Sequence, residues 1–235
     1  MKPKKYTHLF FDLDHTLWDF DANAKATLAQ LHLDLRLPDK GIHDFDKFHT
    51  NYLAHNERLW DQYRRGQLRQ SELRIKRMWL TLLDFKVADE ALCQQLSELF
   101  LQLLPTRTLL FPDTVEVLQS LTDRGYHLHL ITNGFEETQH SKLNSCGLNV
   151  FFKNVITSEG SNSLKPQPEI FEYAMAKAGA TASESAMIGD NLEVDIAGAL
   201  GVGMDAVHVN FTGASGEVKP TYTITTLREL EGIFV

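Results

Sequence analysis

Two cysteines in 235 residues, Cys93 and Cys146, are too few and too widely spaced in sequence for a disulfide framework or a sulfur-rich zinc site. A reducing compartment, the cytoplasm, is therefore the expected location. Long apolar runs are also missing. No stretch approaches the ~18 to 20 residues of a membrane helix. The basic start, Met1 to Lys5, looks like that of a signal peptide, but the apolar run behind it is broken by Asp12 and Asp14. Positive charge is not in excess either: 23 Lys and Arg face 31 Asp and Glu, a net −8. That is the reverse of the footprint expected of a protein binding a nucleic acid polymer or anionic lipid. Repeats and low-complexity tracts are absent as well. With 43% hydrophobic and 10% aromatic residues there is ample material for a buried core, in one large domain or two modest ones. Small-molecule chemistry and protein contacts remain as functions.

Short apolar runs are what is present. Tyr6 to Leu13 is nearly continuous apolar sequence ending in Asp-Leu-Asp, the pattern of a parallel strand buried on both faces. Similar runs follow at His127 to Thr132, Asn154 to Thr157, Ala186 to Gly189, Ala206 to Val209 and Tyr222 to Thr225. Helical spacing at Val115 to Leu121, Thr138 to Leu143, Ile170 to Ala178 and Val194 to Ala199 lies between them. The alternation predicts an α/β fold, a Rossmann-like parallel sheet with helices on both faces. Residues 18–105 show no convincing strand and a strong 3.6-residue period, as in Ile75, Met78, Trp79, Leu82 and Leu83, and again in Leu92, Leu96, Leu99 and Leu103. The expectation is an α-helical bundle (18–105) inserted after the first strand of a sheet domain formed by 1–17 and 106–235. The insertion holds 12 basic and 13 acidic residues and the remainder 11 and 18, so the acidity belongs to the sheet domain.

In an open α/β sheet, ligands bind beyond the carboxyl ends of the strands. Four polar clusters fall there: Phe11-Asp12-Leu13-Asp14-His15-Thr16, Ile131-Thr132-Asn133-Gly134, Lys165-Pro166, and Ile188-Gly189-Asp190 followed by Asp195. Each alone has an ordinary account in caps, turns and solvated charge. Taken together and in this order they resemble the four motifs of the haloacid dehalogenase superfamily of phosphotransferases, and the helical insertion resembles that family's small α-helical cap. The resemblance spans the chain.

The residue types suit phosphoryl chemistry. Phosphate monoesters hydrolyse so slowly unaided that several devices must act together. Asp12 is the candidate nucleophile, forming an aspartyl-phosphate, and Asp14 the candidate general acid and base; the resemblance assigns the same two roles. Thr132, the backbone N–H groups of Asn133 and Gly134, and Lys165 are the candidate phosphate-binding groups. A dianionic phosphate among aspartates needs a cation, and all-oxygen ligands favour Mg2+. The resemblance makes its ligands Asp12, Asp190 and the main-chain carbonyl of Asp14, with Asp195 holding waters or orienting Lys165. For His15 the backbone is expected to matter more than the ring, and His127 and His129, sharing one strand face, are expected to pack or to sit at edge positions rather than bind metal.

Selectivity is expected from the insertion, where Trp60 and Tyr63 can cover a ring and Arg64 and Arg65 can meet an anion. Residues around the motifs, including Trp60 to Gly66 and Glu137-Thr138-Gln139, look like the subgroup of 5′-nucleotidases acting on canonical and noncanonical pyrimidine monophosphates. The implied function is a Mg2+-dependent hydrolase of nucleoside monophosphates such as UMP, dUMP and dTMP. A phosphoglycolate or sugar-phosphate phosphatase, or a phosphosugar mutase, is the alternative within catalysis. A catalytically silent phosphate-binding or signalling module is the alternative outside it.

Overall fold

The computed structural model describes residues 5–235. All six apolar runs form strands: β1 (His8–Phe11), β2 (His127–Thr132), β3 (Phe152–Thr157), β4 (Ser185–Gly189), β5 (Asp205–Val209) and β6 (Tyr222–Ile224). They form one sheet in the order β3-β2-β1-β4-β5-β6, with every neighbouring pair parallel. The order reverses at β1, so right-handed crossovers place helices on both faces and leave a crevice between the ends of β1 and β4. Burial explains the composition of the strands. β1 and β4 are buried along their whole length, and Phe10, Ile131, Ile156 and Met187 share a core with Ile170, Phe171 and Ala174.

The chain divides into two compact units, one running to Phe20 and resuming at Thr108, the other spanning Asp21–Arg107. Trp18, expected at the start of the insertion, stays with the sheet because it bridges both Asp14 and Leu110 and is fully buried. The second unit is helical. Its elements are α1 (Phe20–Asp34), α2 (Phe45–Arg64), α3 (Gln70–Leu83) and α4 (Glu90–Leu103), and the Asp44 and Asp89 side chains cap α2 and α4. Its buried faces differ in part from the expected stripes. On α3, Leu73, Met78 and Leu82 face inward, whereas Ile75 and Leu83 are exposed; on α4, Leu92, Leu96 and Phe100 are buried, and Leu99 and Leu103 are half-buried. No helix of the described residues is long and apolar enough to cross a membrane.

Four further helices of the sheet unit matter to the site: α5 (Thr114–Asp123), α6 (Glu136–Ser145), α7 (Ser158–Ser161) and α8 (Pro168–Ala178). The helical spacing at Val194 to Ala199 resolves into a wide π-turn at Leu192–Ala197 followed by an α-turn at Gly198–Gly201.

Candidate active site

The carboxyl ends of β1 and β4 bring the expected aspartates together. Asp12 follows β1 and donates its backbone N–H to Ile188 of β4 at 2.9 Å. Asp190 follows β4, and Asp195 comes back to it on the π-turn. One carboxylate oxygen from each of Asp12, Asp190 and Asp195 lies within 4.8 Å of the others. This close approach depends on Gly189, where a Cβ would sit 2.4 Å from Asp195 Oδ2. Asp195 Oδ2 also accepts the Asn191 N–H at 3.1 Å, while the Asn191 side chain caps Glu193 and Val194. Thr16 donates to Asp190 Oδ1 at 3.3 Å, and His208 at the end of β5 reaches the Asp190 carbonyl at 3.0 Å.

Lys165 is the counter-ion. Its ammonium donates to Asp12 Oδ1 at 2.5 Å and to the Ile131 carbonyl at 2.8 Å, and it is ion-paired with Asp195 Oδ1 at 2.7 Å. It supplies positive charge to the site. Its backbone is held by Asn133, whose amide donates to the Lys165 carbonyl at 2.9 Å and accepts the Lys165 N–H at 2.7 Å. Burial works against the ammonium, but Asp12 and Asp195 outweigh it and hold its pKa above the ordinary lysine value. Burial pushes Asp12 and Asp190 well above the usual carboxylate range. Lys165 pulls Asp12 back, and the neighbouring carboxylates push both further up.

Three carboxylates against one ammonium leave two negative charges unbalanced in a buried crevice. A divalent cation cancels that excess, and carboxylate oxygens are the hard ligands Mg2+ takes, so the residues fit the ion.

Thr132, at the end of β2, shows how its hydroxyl is used. Thr132 Oγ1 accepts the Gly134 N–H at 3.0 Å and the Gln139 amide at 2.8 Å, so both its lone pairs are engaged and its own proton is left to donate. The Gly134 N–H, expected at the phosphate, is thus turned to the threonine instead. The Asn133 side chain, for which no role was expected, fixes the Lys165 backbone.

Asp14 does not join the carboxylate cluster. Its Oδ1 is 2.6 Å from Lys142 Nζ and its Oδ2 accepts from Gln139 Nε2 at 2.9 Å. Burial opposes its charge, yet the Lys142 ammonium and these hydrogen bonds prevail and hold its carboxyl below the usual range. His15 just after it has a left-handed backbone (φ 64°) and donates its N–H to the Trp18 carbonyl at 2.9 Å, which closes the turn. Lys142 escaped the sequence reading, and Gln139 entered it only as a family marker. The available signal was their three-residue spacing on one helix face just after Thr132.

His8, His127 and His129 cluster at the opposite end of the strands. His129 stacks on Phe10 at 4.7 Å and bonds to His8 and Asn154 at 3.0 Å each. They pack.

In the helical unit, Trp60 and Tyr63 meet edge to face at 5.5 Å near the end of α2. Arg64 and Arg65 both approach Asp61, at 3.9 and 3.1 Å. Gly66, with φ 70°, lies in the turn that leads to α3.

The fold, the strand-end aspartates and the buried lysine define a class of hydrolase built on a doubly wound sheet. Residues 6–203 match the haloacid dehalogenase-like hydrolase family, and the chain belongs to it. It is 31% identical over 231 residues to the HAD-hydrolase YfnB of Bacillus subtilis, covering 97% of this chain and 94% of that one. A crystal structure of YfnB, described as bound to magnesium and as revealing interdomain movement, superposes with a TM-score of 0.86 at 28% identity, covering 98% of this chain and 99% of that one. Pyrimidine 5′-nucleotidase PynA of Streptococcus pneumoniae is 29% identical over 229 residues, covering 96% of this chain and 93% of that one. A glyceraldehyde 3-phosphate phosphatase of Methanothermobacter thermautotrophicus is 39% identical over 100 residues, but these cover only 43% of this chain and 44% of that one.

Proposed function

We propose that the chain is a Mg2+-dependent phosphomonoester hydrolase that works through an aspartyl-phosphate on Asp12, with pyrimidine nucleoside 5′-monophosphates as its substrates. The observation that carries the hydrolytic reading is the pairing of Asp12 with the buried Lys165 ammonium at 2.5 Å, beside a threonine whose only uncommitted hydrogen-bonding capacity is its proton. The nucleotide reading is supported by the full-length likeness to PynA, against a partial likeness to the sugar-phosphate phosphatase.

The steps follow from the side chains. Lys165 holds one oxygen of Asp12 and leaves the other to attack phosphorus. Thr132 donates to an equatorial oxygen of the transferring group, while Lys165 contributes positive charge nearby. As the bond from phosphorus to the ribose oxygen breaks, Asp14 gives that oxygen a proton. In the second step Asp14 takes a proton from the water that attacks phosphorus, and the bond to Asp12 breaks. Lys142 keeps Asp14 ionised in the resting protein; the negative charge of an incoming phosphate acts in the opposite direction and favours the proton-carrying form. Asp12, Asp190 and the main-chain carbonyl of Asp14 would hold Mg2+, and Asp195 orients Lys165. When bound, Mg2+ neutralises the crevice and allows a dianionic phosphate to approach.

Recognition of the base is assigned to Trp60 and Tyr63, and the nearby Arg64 and Arg65 are assigned to anionic parts of the ligand. Phosphate release from a panel containing UMP, dUMP, dTMP, phosphoglycolate and hexose phosphates, with Mg2+ and with chelator, tests the whole reading. Nucleotides should lead, and chelator should abolish turnover. A sugar phosphate more than about tenfold above every nucleotide would overturn the substrate assignment. Full activity in chelator would overturn the metal.

A further inference from the structure

We propose that Gln139 and Lys142 are positioning residues for the Asp14 carboxylate, and that Gln139 ties the orientation of Asp14 to that of the Thr132 hydroxyl. The inference rests on the reading of Asp14 as the acid and base of the reaction. Gln139 and Lys142 lie three residues apart on α6, on one face, and both are buried. Between them they engage both oxygens of Asp14, Lys142 on Oδ1 and Gln139 on Oδ2.

The orientation of the Gln139 amide is dictated by its partners. An ionised carboxylate only accepts, so the NH2 group must face Asp14. The second proton of the same NH2 group goes to Thr132 Oγ1, and the carbonyl Oε1 is left buried without a partner. One planar amide thus spans the proton-transferring carboxylate and the hydroxyl aimed at the phosphate. Gly134 makes this arrangement possible, because a Cβ there would fall 1.7 Å from Gln139 Nε2. Lys142 is fixed independently, with its ammonium 4.2 Å from the centre of the Trp18 ring. A buried ion pair kept for packing alone needs neither the second donor on Asp14 nor the shared amide.

Leaving-group dependence tests the proposal. The ratio kcat/KM reports the steps up to phosphoryl transfer. In those steps a ribose alkoxide needs a well-placed acid, and the far less basic p-nitrophenolate does not. Asp14→Asn serves as the reference for the underlying reading. It should lose about 10² or more in kcat/KM on UMP and much less on p-nitrophenyl phosphate. Lys142→Met should lose about 30-fold on UMP and under about 3-fold on p-nitrophenyl phosphate, and Lys142→Arg should recover most of the loss. Gln139→Met should show the same contrast at smaller size, and it keeps the test open should Lys142→Met fail to fold. Equal losses on the two esters in folded Lys142→Met or Gln139→Met, alongside a normal contrast for Asp14→Asn, would overturn the positioning role. Absence of the contrast in Asp14→Asn itself would overturn the acid-base reading on which it rests.

Discussion

Replacing Asp190 with Asn should make the metal-free protein more stable, although it removes a residue assigned to the reaction. Asp190 lies within 4.8 Å of the carboxylate oxygens of Asp12 and Asp195, and two unit charges at that distance repel by about 3 kcal/mol at an effective dielectric near 20. Lys165 offsets roughly one of the two repulsions. The hydrogen bond from Thr16 survives, because the Asn carbonyl accepts it equally well. A gain of about 1 to 3 kcal/mol at pH 8 is the expected balance, or about 2 to 6 °C in Tm for a chain of this size. The gain must depend on pH. Burial and Asp195 raise Asp190 above its unfolded value, so the native state keeps a proton the unfolded chain has released, and wild-type stability falls as pH rises through that interval. At pH 5, closer to the unfolded value, less of that loss has accrued, and the gain from the substitution should be smaller than at pH 8. Thermal melts by circular dichroism in chelator at pH 5 and pH 8 provide the measurement. Adding Mg2+ should raise the wild-type Tm by mass action and leave the variant nearly unmoved. A variant that melts below wild type at pH 8 in chelator, or a gain of equal size at both pH values, would refute the electrostatic account.

Three other outcomes are expected. Gly189→Ala places a methyl 2.4 to 2.6 Å from the Asp195 carboxylate and its Cβ, so it should cost about 2 kcal/mol or more and abolish phosphate release; urea denaturation and a turnover assay read both, and near-normal values would show that the π-turn yields easily. His129 is lowered to about 3, chiefly by burial and then by His8 and His127, so it stays neutral in the folded protein while the unfolded chain protonates below about pH 6.5. The stability difference between His129→Phe and wild type, in which the carboxylates cancel, should therefore shift in favour of the variant by up to about 1.4 kcal/mol per pH unit below that point, and a flat difference from pH 7 to 4 would contradict it. Trp60→Ala should weaken UMP hydrolysis more than that of p-nitrophenyl phosphate, which has less body to recognise, and an equal effect on both would leave Trp60 as packing.

The strands were legible because a strand buried on both faces needs a continuous apolar run, and β1 and β4 are such strands. The aspartates were legible because they stand at fixed spacings just after those runs. The donors around them were not. Lys142 looks like any solvated lysine on a helix until the fold brings Asp14 to it, a contact across 128 positions of sequence. The Gly134 N–H looked free because a chain leaving a strand can curl round an anion, but the hydroxyl two residues earlier takes it first. On α3 the spacing predicted Ile75 and Leu83 as core, while the buried face also takes in Arg77 and Thr81, so hydrophobic periodicity alone set that face slightly askew.

The pairing of Lys165 bears on how the site divides its work. It donates to Asp12 and Ile131 and is ion-paired with Asp195, and the Asn133 side chain locks its backbone on both sides, so the charge it brings is held in place beside Asp12. The Thr132 hydroxyl, which accepts twice and keeps its own proton, is a donor with capacity to spare for a phosphate oxygen. The sheet unit contributes the chain's acidity, and the carboxylates at its strand ends gather more negative charge than Lys165 neutralises. A site so arranged is less stable empty than filled, and the same imbalance that raises Asp12 and Asp190 is what a divalent cation would relieve on binding.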